Sequence, residues 1–314
     1  MKFKISKEVE EAESRPHGTW QSSDYVMSDE EAHRNVRYSI PTPFAQTIIM
    51  IKSQMQIFSK SKGVYALLVM AVLIPILYLL LKDIINMPGL KTLLYDGSAN
   101  GMVGLMLSMM PFILGVFTSS LCGKLMPKEF IDRTAYMNMA LPISRTTFVI
   151  GKYIASLIVT IGVVIFAYGM ALVTSAMEFE YFNTHLLLVS FVLTIVAVMV
   201  FTSTAFAFGC IVKKGAGILS FFLLVIVIPI IELIFFTNKM MSLETMYYFP
   251  NALADLCCQI MGTNVTGSVL GFFGFAGMAF DPYTYSLPLG AALGLIWSAI
   301  MIAIALVAVN RREM

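Results

Sequence analysis

The chain has 314 residues, of which 58% are hydrophobic and 13% are charged, and its formal net charge is +2. Its mean hydropathy is +0.81, whereas soluble domains carry about 25% charged residues. The composition excludes an ordinary soluble protein and predicts an integral membrane protein. The small net charge and the lack of a strongly basic cluster give no indication of nucleic-acid binding.

The first 40 residues form a polar segment without an apolar core. They mix acidic residues such as Glu10 and Glu13 with basic ones, a composition typical of a flexible tail. The segment lacks the apolar stretch of a cleaved signal peptide. We therefore expect residues 1–40 to be a flexible cytoplasmic tail and the first span to act as an uncleaved targeting signal.

Residues 41–63 carry apolar side chains at helical spacing, with lysines and glutamines between them. The apolar positions are Phe44, Ile48, Ile51, Met55 and Phe58. This pattern predicts an amphipathic helix that lies in the membrane interface. The same helix packed on the protein is the alternative, and the position directly before the first span favours the interface.

Six segments are apolar over about 20 residues, the length that a helix needs to cross the hydrocarbon core. They are residues 64–81, 101–121, 149–177, 186–212, 218–236 and 287–309. Residues 64–314 are therefore predicted to form the transmembrane domain of an all-α polytopic membrane protein with six transmembrane helices.

The segment between the fifth and sixth predicted spans, residues 245–280, contains two shorter apolar stretches. These stretches, 247–261 and 265–280, are short for a span, and a seventh span would place the C-terminus on the opposite side. We expect a pair of short external or re-entrant helices, which are tolerated where protein covers the backbone. A flexible loop is the alternative.

Lys and Arg residues near the predicted spans are distributed unevenly between the two sides of the membrane. On the side of both termini they are Lys52, Lys60, Lys62, Lys124, Lys128, Arg133, Arg145, Lys152, Lys213, Lys214, Arg311 and Arg312, and on the opposite side they are Lys82, Lys91 and Lys239. Cytoplasmic loops carry the excess of positive charge. The N- and C-termini are therefore expected in the cytoplasm, in a multi-pass protein of the plasma membrane.

The sequence contains no motif typical of an enzyme or a metal site. A G-x-x-x-x-G-K-[ST] loop for nucleotide phosphates, a His-Glu-x-x-His motif and a Gly-x-Ser-x-Gly motif are all absent. The three histidines are scattered, and the four cysteines lack metal-ligand spacing. We expect this chain to bind no metal or cofactor by itself and not to be an enzyme by itself.

The most distinctive polar segment is residues 124–152, between the second and third predicted spans. It predicts an amphipathic helix, a break at Leu141-Pro142 and a second helix that is capped by Ser144 and continues into the third span. An acidic-Arg-Thr sequence ending at Thr134 precedes Leu-Pro-x-Ser-Arg and then Gly-Lys. This pattern resembles the permeases of ABC-2 type transporters, the membrane subunits of ABC exporters, although Arg133 stands where the family usually has Gly.

The resemblance implies a permease subunit of an ATP-driven ABC exporter in the lipid bilayer. Residues 124–152 would couple it to a separate ATPase subunit, present in two copies, which would bind and hydrolyse ATP. A second permease subunit, forming a homodimer or a heterodimer, would complete the translocator. The residues implied in coupling are Glu129, Asp132, Arg133, Thr134, Leu141, Pro142, Ser144 and Arg145, while Gly151 and Lys152 would either couple or anchor the helix at the interface.

Glu232 is an ionisable residue in the otherwise apolar fifth predicted span. Such residues indicate a functional polar site in the membrane, but Glu232 is also close enough to the outer end of the span to reach headgroups or water. A secondary transporter or channel is an alternative function, although such proteins usually have ionisable or unwound sites near the midplane. A non-transporting regulatory membrane protein is a further alternative.

Overall fold

The computed structural model describes the chain in several segments. These are residues 42–85, 97–108, 110–131, 144–212, 215–228, 230–231, 234, 252–263 and 287–311. The regular elements in these residues are all helical, so the predicted all-α class is confirmed for the described part. The predicted tail, residues 1–40, and the second short helix, residues 265–280, lie outside the described residues.

The described helices are numbered here in chain order. They are α1 Pro43–Ser59, α2 Lys62–Ile85, α3 Ala99–Leu107, α4 Met110–Ile131, α5 Arg145–Ala176, α6 Thr184–Ile211, α7 Ala216–Phe221, α8 Ala252–Gln259 and α9 Leu287–Arg311. Helix α7 continues directly into a π-helical turn, Phe222–Val227.

Five helical segments among the described residues are long and apolar enough to cross a membrane. They are Lys62–Leu81, Ala99–Glu129, Arg145–Ala176, Thr184–Ile211 and Leu287–Arg311. These segments overlap five of the six predicted spans. The predicted fifth span is represented by the shorter apolar helix Ala216–Val227, because part of 218–236 lies outside the described residues. The chain is a multi-pass membrane protein, and the count of six spans stays a prediction.

The second predicted span, residues 101–121, differs most from the structure. It is formed by α3 and α4, and α4 extends to Ile131. Hydropathy falls where polar residues such as Lys124 enter the sequence, yet Cys122 and Met126 are completely buried in the same stretch. The helix continues because one side of it still packs into the protein, even though its average hydropathy has fallen.

Helix α6 is the centre of the helical bundle. It packs against α4, α5, α7, α8 and α9, and its side chains Ala197, Phe201, Ala205 and Phe206 are buried. By contrast, the span in α2 is only 18% buried and that in α9 only 22%. A helix that is apolar on all sides can be surrounded by protein or by lipid, and the exposed faces of α2 and α9 suit lipid.

Helix α1 packs on α5 through one side and exposes apolar side chains on another. Gln46, Gln54 and Phe58 are buried, whereas Phe44 and Ile48 are exposed. The predicted apolar stripe therefore divides between the protein and the outside. The packing of α1 on α5 supports the alternative that this helix packs on the protein. Its position in the membrane interface stays a prediction, with which the exposed apolar groups are compatible.

Helix α8 lies within the segment predicted to form external or re-entrant helices, and it is packed among the long helices. The thiol of Cys258 donates to the carbonyl of Leu107 in α3 at 3.2 Å. Ser190 in α6 donates to the carbonyl of Cys257 at 2.6 Å. The apolar character of α8 thus reflects its burial against α3 and α6. Whether it is external or re-entrant stays a prediction.

Candidate functional site

Helix α5 begins within the polar segment 124–152. Ser144 is the N-cap, and its hydroxyl oxygen accepts from the backbone N–H of Thr147 at 3.1 Å. This confirms the predicted cap, which satisfies a backbone donor that has no partner within the helix. Helix α5 has 32 residues, or about 48 Å at 1.5 Å per residue, and exceeds the roughly 30 Å hydrocarbon core.

Lys152 is a charged residue in the interior of the bundle, only 1% exposed. Its ammonium group forms an ion pair with the carboxylate of Glu129 near the end of α4, whose side chain is 16% exposed. The ammonium also lies 4.5 Å from the ring centroid of Phe148, one turn earlier in α5, in a cation–π contact. A charge is tolerated in such a place when it is paired.

The surroundings of Lys152 connect further helices to the start of α5. The ion pair with Glu129 connects the end of α4 to α5 at this ammonium group. Gly151 faces another helix, because a Cβ atom built on it would lie 2.8 Å from the Cβ of Met50 in α1. Consecutive residues thus hold α5 against α1 and against α4.

Arg145, the first residue of α5, contacts the end of α9. Its guanidinium group donates to the backbone carbonyl of Asn310 in the last turn of α9, with an N–O distance of 3.4 Å. A cation beside the carbonyl end of a helix is favourable. The sequence carries no signal for this contact, since its acceptor is a backbone carbonyl 165 residues away.

The structure places only some of the predicted site residues. It brings Glu129 and Lys152 together and puts Ser144, Arg145 and Gly151 on the first two turns of α5 or at its cap. The predicted residues that lie outside the described ones are Asp132, Arg133, Thr134, Leu141, Pro142 and Glu232. Their roles stay predictions, as does the coupling role of the residues that the structure places.

Glycines bring α4 into backbone contact with its neighbours near the same end of the bundle. A Cβ atom on Gly209 of α6 would lie 3.0 Å from the carbonyl oxygen of Gly123 and 3.1 Å from that of Cys122. A Cβ atom on Gly123 would lie 2.6 Å from the Ser220 hydroxyl of α7. Small residues allow such approaches in membrane bundles. No motif or periodic pattern in the sequence predicts this contact.

A small apolar cavity lies between α2, α3, α4 and α5. Its volume is about 20 Å³, and Pro75, Met106 and Val163 are among the residues that line it. Ligand pockets usually measure about 300–1,000 Å³, whereas this one has room for roughly one water molecule. The cavity is therefore too small to be a substrate site.

Comparison with known protein families identifies the family of this chain. Residues 50–243 match the family model described as ABC-2 family transporter protein, which covers more than half of the 314 residues. The matched part includes Glu129, Lys152 and the whole segment between them. A search of curated proteins finds no match.

Proposed function

We propose, from the premise that this chain belongs to the ABC-2 transporter family, that it is the membrane-spanning permease subunit of an ATP-driven exporter. The family match over residues 50–243 carries this proposal. The long apolar helices provide the membrane domain that such a subunit needs. ATP would be bound and hydrolysed by a separate ATPase subunit, and this chain would bind no cofactor and catalyse no reaction by itself.

Segment 124–152 would transmit movement of the ATPase to the membrane domain. Helix α5 supports this role, because it begins in the segment at Arg145 and continues without a break to Ala176. A continuous helix moves as a rigid rod, so a push on its first turn reaches the part within the membrane. The part that faces the ATPase would include Asp132, Arg133, Thr134, Leu141, Pro142 and Arg145.

The complete transporter would contain two ATPase subunits and a second permease subunit, identical or similar to this chain. It would lie in the plasma membrane with both termini of this chain in the cytoplasm, as the distribution of Lys and Arg favours. Glu232 would provide a polar group in the predicted fifth span.

The first test concerns ATP. The purified chain is expected neither to bind a fluorescent ATP analogue nor to hydrolyse ATP, because its sequence has no phosphate-binding loop. Co-expression with an ATPase encoded by a neighbouring gene should yield a complex that hydrolyses ATP. Tight and saturable binding of the analogue by this chain alone would contradict the proposal.

The second test concerns orientation. An impermeant thiol reagent added to intact cells should label Glu180→Cys, in the connection between α5 and α6, but not Thr146→Cys or Arg311→Cys. These three residues are exposed, while the four native cysteines are at most 2% exposed and should remain unlabelled in the folded protein. Labelling of Arg311→Cys from outside would indicate an odd number of spans.

A further inference from the structure

We infer that Glu129 and Lys152 are a positioning pair that fixes the two ends of segment 132–143 relative to each other, instead of contacting the ATPase. The consequence for transport rests on the function proposed above. The structural part of the inference concerns this chain alone. It follows from where the two residues lie, how deeply they are buried and what else holds the start of α5.

The first argument is the place of the pair in the chain. Glu129 is two residues before the end of α4 at Ile131, and Lys152 lies two turns inside α5, which begins at Arg145. The ion pair therefore joins the helix that leads into segment 132–143 to the helix that leads out of it. A force on this segment reaches the membrane part through α4 and α5, whose spacing the ion pair sets.

The second argument is burial. The Lys152 side chain is 1% exposed and that of Glu129 is 16% exposed, so little of either charge is available to a protein that docks from outside. A buried ion pair is a poor source of stability compared with apolar residues of the same size, and its better attested use is to specify one arrangement. The cation–π contact with Phe148 restricts the ammonium further.

The third argument is that the other contacts of this helix end lead to other partners. Gly151 packs closely against the side chain of Met50 in α1. The guanidinium group of Arg145 donates a hydrogen bond to the backbone carbonyl of Asn310 in α9. Contacts to α1 and α9 do not fix the distance between α5 and the end of α4. The ion pair, by contrast, links the first two turns of α5 directly to the end of α4.

The experiment separates positioning from stability by neutralising both partners together. The single variant Glu129→Gln leaves the buried Lys152 ammonium without its ion-pair partner, and we expect much less folded protein from it. Lys152→Met leaves a partly exposed carboxylate at Glu129, so we expect a smaller loss. The double variant Glu129→Gln/Lys152→Met leaves no unpaired charge and should recover folded protein to near the normal yield. In this variant, however, the distance between α4 and α5 is no longer held by a charge pair.

Two readouts are needed on the full chain in lipid nanodiscs. Spin labels at Lys128→Cys and Thr146→Cys, both exposed, report the distance between the end of α4 and the start of α5. The label distribution should be narrow with the native pair and clearly broader in the double variant. In the complex with the ATPase, transport per ATP hydrolysed should fall at least about fivefold, the lower end of typical coupling between sites.

A double variant with the native label distribution and native transport per ATP would overturn the inference, since the pair would then be dispensable. Failure of the double variant to fold would also overturn it, because the pair would be needed for the fold itself. If the normal chain forms no complex with an ATPase, the proposed function fails. The label distances are measured without the ATPase and still decide whether the pair positions the two helices.

Discussion

Replacing Gly209 by alanine is expected to destabilise the protein by about 1–3 kcal/mol, the usual cost of overpacking a close contact. The added methyl group would lie 3.0 Å from the Gly123 carbonyl oxygen and 3.1 Å from that of Cys122. Both atoms belong to the backbone of α4, so α4 and α6 must move apart. Gly209→Leu requires a larger separation and should give no folded protein. Thermal unfolding in detergent, followed by size-exclusion chromatography, measures both effects.

Gly162→Ala is the matched control for this prediction. A Cβ atom at Gly162 meets no other atom within 4 Å, and Gly162 lies in α5 at an exposed position. Because alanine favours a helix more than glycine does, this variant should be more stable by roughly 0.5–1 kcal/mol. Equal midpoints for Gly209→Ala and Gly162→Ala would show that α4 and α6 do not depend on their close approach.

Arg145→Glu is expected to reduce co-purification of the ATPase at least about tenfold, a change of roughly 1.4 kcal/mol in binding free energy. Arg145 is at the start of α5, where the proposed coupling segment enters the long helix. Reversing its charge replaces attraction to acidic groups of the partner with repulsion, and losses of about 2–5 kcal/mol occur when such a contact is buried. The measurement is ATPase recovered per permease at equal expression.

Two comparisons make the Arg145 result interpretable. Arg145→Met loses the contact with the Asn310 carbonyl without adding a negative charge, so it reports the part of the effect that comes from α9. Lys62→Glu reverses an exposed charge at the start of α2 and should leave ATPase recovery unchanged. Normal recovery with Arg145→Glu would mean that Arg145 serves only to hold α9.

The long helices were predictable because a membrane span is a continuous apolar stretch of the sequence. A run of about 20 apolar residues is visible without any knowledge of neighbours, and the bounds of α5 and α9 agree closely with predicted spans. The extension of α4 beyond residue 121 was not predictable in this way. It depends on residues such as Met126 that pack against other helices. The adjacent polar residues lower the mean hydropathy of this stretch, so the mean does not indicate these buried positions.

The candidate site was predictable in composition but not in its contacts. The Ser144 cap is a local feature, so the sequence was sufficient to predict it. The resemblance implies roles for Glu129 and Lys152, but their pairing depends on how α4 packs against α5. The contact of Arg145 with the Asn310 carbonyl involves a backbone atom, which no side-chain pattern identifies. Contacts between helices therefore required the three-dimensional structure.

The π-helical turn Phe222–Val227 gives α7 a possible change of register. A π-helical turn holds about one residue more than an α-helical turn, and such turns are frequent at functional sites. Conversion of this turn to α-helix would turn the following residues by about 100° and move them by about 1.5 Å along the axis. Ile230 and Ile231, which are exposed, would then point in new directions while the close contact between Ser220 and Gly123 of α4 stayed in place. Such a conversion would therefore turn the residues that follow Val227 relative to the start of α7.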